Sequence, residues 1–306
     1  VPSTSRRGKR RFDDDEPRFA KRGAHRAALP SLADFDATDG LPDGDRWSTW
    51  DQSTFTQRGP LPHPDWLVTD LAATDTELGI LKTGKEADVF LLRRGVPGTG
   101  LGCLLAAKRY RSAEHRLFHR DSQYTEGRRV RESRDSRAMA NRTAVGLQMI
   151  AVQWANAEFA ALCQFHEAGL PVPYPVQVLG TEVLLEFIGE PDGTAAPRLA
   201  ETGLRGADLT DLWEQLVLIT ATLARLGLAH GDLSAYNLLV HRGQLIMIDT
   251  PQVIDVIANP RGGEFLDRDA TNVARWFTAH GLAGQAAGAT GPDDLPALLR
   301  AEAGLR

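Results

Sequence analysis

Asp232, Asn237 and Asp249 follow one another within His230-Gly231-Asp232-Leu233-Ser234-Ala235-Tyr236-Asn237-Leu238-Leu239-Val240 and the apolar run Leu245-Ile246-Met247-Ile248-Asp249. Asn237 lies five residues after Asp232, and Asp249 twelve after Asn237. Any one of them alone after a turn is a cap or a turn former. In this order and spacing they are the types that phosphoryl transfer from ATP requires: a carboxylate to orient the attacking hydroxyl, and hard oxygen ligands to hold Mg²⁺ on the phosphates. To bring them together, the chain must form a tight loop at Asp232, a turn that returns Asn237, and two short strands. Those strands are expected at residues 238–241 and 244–248, joined at Arg242-Gly243, so that Asp249 arrives beside the other two.

Lysine is scarce, occurring only at positions 9, 21, 82, 85 and 108, so each one carries information. Lys108 sits in Leu104-Leu105-Ala106-Ala107-Lys108-Arg109-Tyr110, an apolar strand whose pattern would bury it. A lysine there is costly unless it is paired or holds an anion. The helical stretch Trp154-Ala155-Asn156-Ala157-Glu158-Phe159-Ala160-Ala161-Leu162 supplies a carboxylate, although Glu158 taken alone also reads as an exposed helix residue. Upstream, residues 78–92 read as strand, small-residue turn and strand. Thr83-Gly84-Lys85 at the bend would let backbone amides approach a polyphosphate and add a hydroxyl and an ammonium.

The remaining elements give these groups a frame. A short helix is expected at Pro64-Asp65-Trp66-Leu67-Val68, and a helix around Glu158 that ends at Ala168-Gly169. Prolines at 171, 173 and 175 impose an extended connector, followed by strands at 176–179 and 183–186. Residues 208–228 are an amphipathic core helix, and a further helix spans 265–277. The 306 residues carry a net charge of −5 and a sequence pI of about 5.9, so the chain as a whole is not built to lie on nucleic acid or an anionic membrane. No apolar run of about 18 residues occurs, the first residues are charged and polar, and Cys103 and Cys163 are the only cysteines. A cytoplasmic protein without a disulfide framework or zinc site is expected. Residues 1–63 combine charge blocks with scattered prolines and are expected to be a largely disordered arm, with Trp47, Trp50 and Phe55 able to dock a short piece. Residues 111–149 are polar and arginine-rich, with serines interspersed, and read as a mobile insertion.

Taken together, these stretches resemble the RIO family of atypical serine/threonine protein kinases, closest to its first subfamily. The resemblance is carried by residues 83–90, 105–110 and 126–129, the connector at 168–173, Glu186-Phe187-Ile188-Gly189 with Ala195-Ala196-Pro197-Arg198-Leu199, residues 230–237, Ile248-Asp249, and Glu264-Phe265-Leu266-Asp267-Arg268-Asp269. It spans about residues 64 to 280.

It implies an α+β, two-lobed kinase-like fold: a β-rich N-lobe over 64–188 and a mainly helical C-lobe over 189–306, without a standard activation segment. It further implies ATP with Mg²⁺ or Mn²⁺, serine autophosphorylation on a protein substrate or on itself, and ATPase-like turnover. Carried over by residue, Asp232 is the catalytic carboxylate, and Asn237 and Asp249 are the metal ligands. Lys108 with Glu158 clamps phosphate, Thr83, Gly84 and Lys85 form the phosphate loop, and Glu186 and Ile188 offer backbone groups to adenine. In some relatives the metal-binding acid is thought to pass through an aspartyl phosphate. Asp269 is expected to bond the catalytic-loop backbone. Gly231 replaces the arginine that most protein kinases use to read a phosphorylated activation loop, and Ser234 replaces their lysine. Thr250-Pro251-Gln252 departs from the family.

Two other readings stay open. One is a small-molecule kinase of the aminoglycoside or choline type, opposed by the Thr-Gly-Lys-Glu-Ala loop and by the lack of a large helical acceptor segment. The other is a nucleotide-gated module that binds RNA or a ribosomal particle through the arginine-rich insertion.

Overall fold

In the computed structural model, which describes residues 45–111, 144–282 and 290–305, the β-forming runs of the N-terminal half pair into one antiparallel sheet. Its strands are β1 (Asp45–Trp47), β2 (Thr74–Thr83), β3 (Ala87–Gly95), β4 (Gly102–Tyr110), β5 (Pro175–Leu179) and β6 (Glu182–Glu186), in the order β1-β2-β3-β4-β6-β5. Successive side chains point to opposite faces of a strand, and β4 separates its residues accordingly. Leu105 and Ala107 enter a core with Trp50, Leu92, Tyr174 and Leu184. Tyr110 packs on the other face with Ala87, Val178 and Val183, against helix α1 (Ala144–Glu167). Lys108 shares the parity of Tyr110 and is turned toward the helix.

The sheet-facing side of α1 includes Ala151, Ala155 and Phe159, all buried. Helical periodicity places Glu158 beside that stripe, and it is 1% exposed. The exposed alternative for Glu158 is therefore excluded by geometry. The helix closes at Gly169, where Leu170 N–H donates to Phe165 O at 2.9 Å and Gly169 N–H to His166 O at 3.0 Å, a Schellman arrangement.

The C-terminal half is mainly helical, with α2 (Gly206–Arg225), α3 (Gly262–Ala279) and α4 (Leu295–Glu302) around a core of Leu209, Leu212, Leu216, Leu266 and Phe277. Between them run the short ladders β7 (Leu228–Ala229) with β10 (Ile254–Asp255) and β8 (Leu238–His241) with β9 (Gln244–Met247). β8 and β9 turn at Arg242 (φ 53°) and Gly243 (φ 77°), the two-residue hairpin expected from the sequence. Residues 254–262 make the short crossing into α3. No helix among the described residues is long and apolar enough to cross a membrane.

Three boundaries differ from expectation. The disordered arm expected over 1–63 does not extend that far. β1 pairs with β2, Ser48 N–H donates to Ala73 O at 2.9 Å, and Gly59 N–H reaches Val176 O at 3.0 Å. Trp50, 6% exposed, anchors the strap, while Trp47 and Phe55 stay exposed. One buried indole and a few sheet bonds offset an ordering cost that composition alone suggested would prevail. Residues 1–44 lie outside the described residues.

The helix expected at 64–68 is a single turn, Leu67 N–H to Pro64 O at 3.0 Å. Leu67 is buried against the sheet and Trp66 packs edge-on to Tyr174 at 6.2 Å, so tertiary contacts extend the segment. The insertion expected over 111–149 gives way to helix at Ala144, and its core, 112–143, lies outside the described residues.

Charge is also buried in the sheet. Arg94, fully buried, is held by both oxygens of Asp75 at 2.7 and 3.0 Å. Glu182 accepts from Arg46 at 2.6 Å and from Arg109 at 2.7 Å, which ties β1 and β4 to β6. Burial alone would raise the Glu182 carboxyl, but the two guanidiniums hold it below its usual value. A carboxyl depressed only in the folded state stabilises fully above its unfolded value of about 4.3, and that contribution fades as pH falls through the folded value. Glu182→Gln is expected to flatten the acid limb of stability measured by urea denaturation below about pH 4.5.

Candidate active site

The first hairpin, β4, α1 and the loop before β8 converge on a cleft of about 840 Å³. Its walls include Gly84 and Lys85 of the hairpin, Lys108, Glu158, Asp232, Asp249, and Glu186 to Ile188 where β6 ends. The hairpin turn is tight because Gly84 N–H donates to Ala87 O at 2.9 Å, and a Cβ on Gly84 would come within 2.7 Å of that same oxygen. Thr83, the last residue of β2, is exposed and pairs with Asp88. Among the three turn residues expected to meet phosphate, it alone is absent from the cleft wall.

Lys108 is the centre of the charge arrangement. Its Nζ donates to Glu158 Oε1 at 2.6 Å and to Asp249 Oδ1 at 2.7 Å. Glu158 is fixed from behind, its Oε2 accepting from the Tyr110 hydroxyl at 2.5 Å. Burial would lower the Lys108 ammonium, but Glu158 and Asp249 raise it above its usual value. Burial would raise the Asp249 carboxyl, yet Lys108, with Lys82, holds it below the usual carboxylate range. Both charges of this pair are therefore present at neutral pH. The Tyr110 phenol is pushed well up, first by burial and then by Glu158, and stays protonated as a donor.

Asp249 occupies a backbone conformation with φ 65°, which L-residues seldom adopt. The loop carrying Asp232 is braced from α3. Asp269 accepts from Gly231 N–H at 2.7 Å and from Leu233 N–H at 3.0 Å, and Arg268 donates to Gly231 O. Position 231 requires glycine: φ is +85°, and a Cβ would meet Gln252 O at 2.3 Å. Buried His230 spans the loop, taking Asp232 N–H on Nδ1 at 3.3 Å with Nε2 on Ile248 O at 3.1 Å. The acceptor role of Nδ1 makes Nε2 the protonated nitrogen.

Asp232 itself is exposed on the wall of the cleft. Asn237 lies behind it, 8% exposed, with Nδ2 on Asp232 O at 2.9 Å, and its remaining polar atom is the carbonyl oxygen Oδ1. Asp249 likewise keeps Oδ2 free of Lys108. These are hard oxygen donors of the kind Mg²⁺ or Mn²⁺ takes, and they are a carboxylate and an amide rather than a cluster of His, Cys, Asp and Glu, of which none forms a metal-sized group among the described residues. The Glu186 carboxylate turns away to accept Tyr174 N–H at 3.0 Å, and Glu186 N–H donates to Tyr174 O at 2.9 Å, so only its backbone carbonyl can serve the cleft. Ile188 O accepts from Ala196 N–H at 3.0 Å.

A larger groove of about 1140 Å³ beyond Glu186 and Ile188 contains none of Lys108, Glu158, Asp232 or Asp249. Sequence reasoning missed the Tyr110 bond to Glu158 and singled out neither Lys82 nor Arg198, both of which line the cleft. Tyr110 was open to discovery, because it lies two residues beyond Lys108 on the same strand face.

The sequence model of the RIO domain matches residues 105–287, more than half of the chain. Serine/threonine-protein kinase RIO1 of Caenorhabditis elegans is 34% identical over 205 residues, covering 67% of this chain and 37% of its own length. RIO-type serine/threonine-protein kinase Rio1 of Haloferax volcanii is 38% identical over 128 residues, 42% of this chain and 43% of the relative. Serine/threonine-protein kinase RIO3 of Mus musculus is 30% identical over 215 residues, with coverage of 68% and 40%. The chain thus spans about two fifths of the length of these curated relatives. Among solved structures, the Rio2 kinase from Chaetomium thermophilum superimposes with a TM-score of 0.52 at 20% identity, covering 72% of this chain and 63% of that one. Its ADP/Mg²⁺-phosphoaspartate complex gives 0.51 at 19% identity, covering 72% and 62%. The two-lobed kinase-like fold follows from this likeness.

Proposed function

The chain belongs to the RIO domain family, and from that premise we propose that it is an ATP-dependent serine/threonine protein kinase that also turns over ATP with water. The observation that carries the proposal is Lys108, bonded to Glu158 on one side and Asp249 on the other in a cleft that Asp232 lines. Adenine lies along the β6 exit, taking the Glu186 carbonyl and the Ile188 N–H, since the Glu186 N–H is used by Tyr174 O and the Ile188 carbonyl by Ala196. Lys108 meets the phosphates, and the hairpin at Gly84 and Lys85 covers them.

The serine hydroxyl of the acceptor attacks the γ-phosphorus, its proton passing to Asp232. The bond from the γ-phosphorus to the bridging oxygen breaks, and ADP leaves. Asp249 and Asn237 would hold Mg²⁺ or Mn²⁺, which when bound neutralises phosphate charge. The acceptor is a protein or the chain itself. A cytoplasmic location belongs to the same proposal, supported by two cysteines that form no disulfide.

The test is product identity. Protein and Mg²⁺ are incubated with γ-labelled ATP, and label is followed into free phosphate, into protein, and into small alcohols of the aminoglycoside and choline classes. Acid-stable label on serine is expected. Label on small alcohols with none on protein would overturn the proposal, and hydroxylamine-labile label would redirect it to an ATPase with an aspartyl phosphate at Asp249.

A further inference from the structure

Resting on the nucleotide reading of the cleft, the distribution of its cations identifies additional phosphate contacts. Downstream of Asp232 the catalytic loop contributes no cation, its next residues being Leu233, Ser234, Ala235 and Tyr236. Lys108 is committed to two carboxylates. Besides Lys85, which is exposed on the hairpin, the cleft wall holds two further cations, Lys82 from β2 and Arg198 from the connector after β6, both half-buried. Among the described residues no carboxylate lies within ion-pair distance of either side chain; Asp249 and Glu201 act on Lys82 only at longer range and do not offset its burial. Unpaired cations in such a setting are costly unless an anion is to be bound.

Strand register fixes where that anion lies. Lys82 pairs with Val89, Val89 pairs with Lys108, and Lys108 pairs with Val183 of β6. Residues paired across a sheet share a face, so both lysines stand on the cleft side, flanking Val89, which itself lines the cleft. Two strand spacings separate them by about 10 Å. Since the adenine edge is at the end of β6, the order β6-β4-β3-β2 puts Lys82 farther from the adenine than Lys108.

We propose that Lys82 and Arg198, one from each lobe, clamp the terminal phosphate of the nucleotide, beyond the phosphates that Lys108 meets. In support, the Lys82 ammonium is held below its usual value by burial, Arg198 and Lys108, with Asp249 and Glu201 acting in the opposite sense. The two cations repel across the cleft, and a polyphosphate between them converts that repulsion into closure of the lobes.

The experiment is equilibrium binding of ATP, ADP and AMP to the full chain, by calorimetry, for wild type, Lys82→Met, Lys82→Arg and Arg198→Met. Loss of one charge-assisted contact to phosphate weakens binding about tenfold. ATP should therefore weaken by about that factor in either methionine variant, ADP by less than about threefold, and AMP not at all, with Lys82→Arg restoring ATP. Because the replaced cation is unpaired, Lys82→Met should melt no lower than wild type. ATP, ADP and AMP changing by one common factor, or not changing, would overturn the clamp while leaving the nucleotide site intact. A wild-type chain that binds ATP no better than AMP would overturn the reading beneath it.

Discussion

Lys108→Met is expected to abolish phosphoryl transfer and to destabilise the fold by about 3–5 kcal/mol, the usual consequence of leaving one member of a buried ion pair behind. The stranded group is Glu158, 1% exposed, with only the Tyr110 hydroxyl left to it. Asp249 adds less to the loss because its side chain is 38% exposed and water screens it. Adding Glu158→Gln to Lys108→Met removes the uncompensated charge. The double variant should regain most of the lost stability in urea denaturation, since replacing both partners of a buried pair is close to neutral. It should regain no activity, because Lys108 acts on phosphate as well as on Glu158. Recovery of both together would mean that the lysine serves the fold alone.

Asp249 separates the same two roles in the opposite direction. Its positive φ of 65° costs an L-residue about 1–2 kcal/mol, which glycine would not bear. Asp249→Gly relieves that strain and loses a half-exposed ion pair, so the net change in stability is expected to lie within about 1 kcal/mol of zero. Transfer, by contrast, should fall by about a thousandfold or more, and the response of nucleotide binding to added Mg²⁺ should disappear. A strained residue that can be replaced without loss of stability but not without loss of activity is held for its chemistry. A large drop in both would assign Asp249 to the fold.

Much of this site was legible because its residues violate local expectation. A lysine on an apolar strand demanded a partner, and strand parity with helix periodicity delivered Glu158 to it. The hairpin at Arg242-Gly243 and the close of α1 at Gly169 were likewise visible as turn chemistry, and the bond from Asp269 to the loop backbone follows the expected pattern.

Residues whose role depends on long-range register were not legible. Lys82 reads as one more charge on a hairpin until its row with Val89 and Lys108 is known. Thr83 fits a phosphate loop by type, yet it pairs in β2 outside the cleft wall. The strap at residues 45–63 was hidden for a similar reason. Its polar composition resembles a tail, and only its partners, Thr74 to Thr76 on β2 and Val176 on β5, make it part of the sheet.

The central claim is that Asp232 takes the acceptor proton in a cleft that already holds ATP. The most direct test is single-turnover transfer of γ-label at saturating ATP, wild type beside Asp232→Ala, with ATP affinity and urea midpoint measured on the same preparations. Asp232 is exposed and its carboxylate makes no ion pair among the described residues, so its removal should leave stability within about 0.5 kcal/mol of wild type. ATP affinity should stay within about threefold, while transfer falls by about 10²–10⁴, the range for losing a positioned general base. Transfer at the wild-type rate in Asp232→Ala would contradict the account.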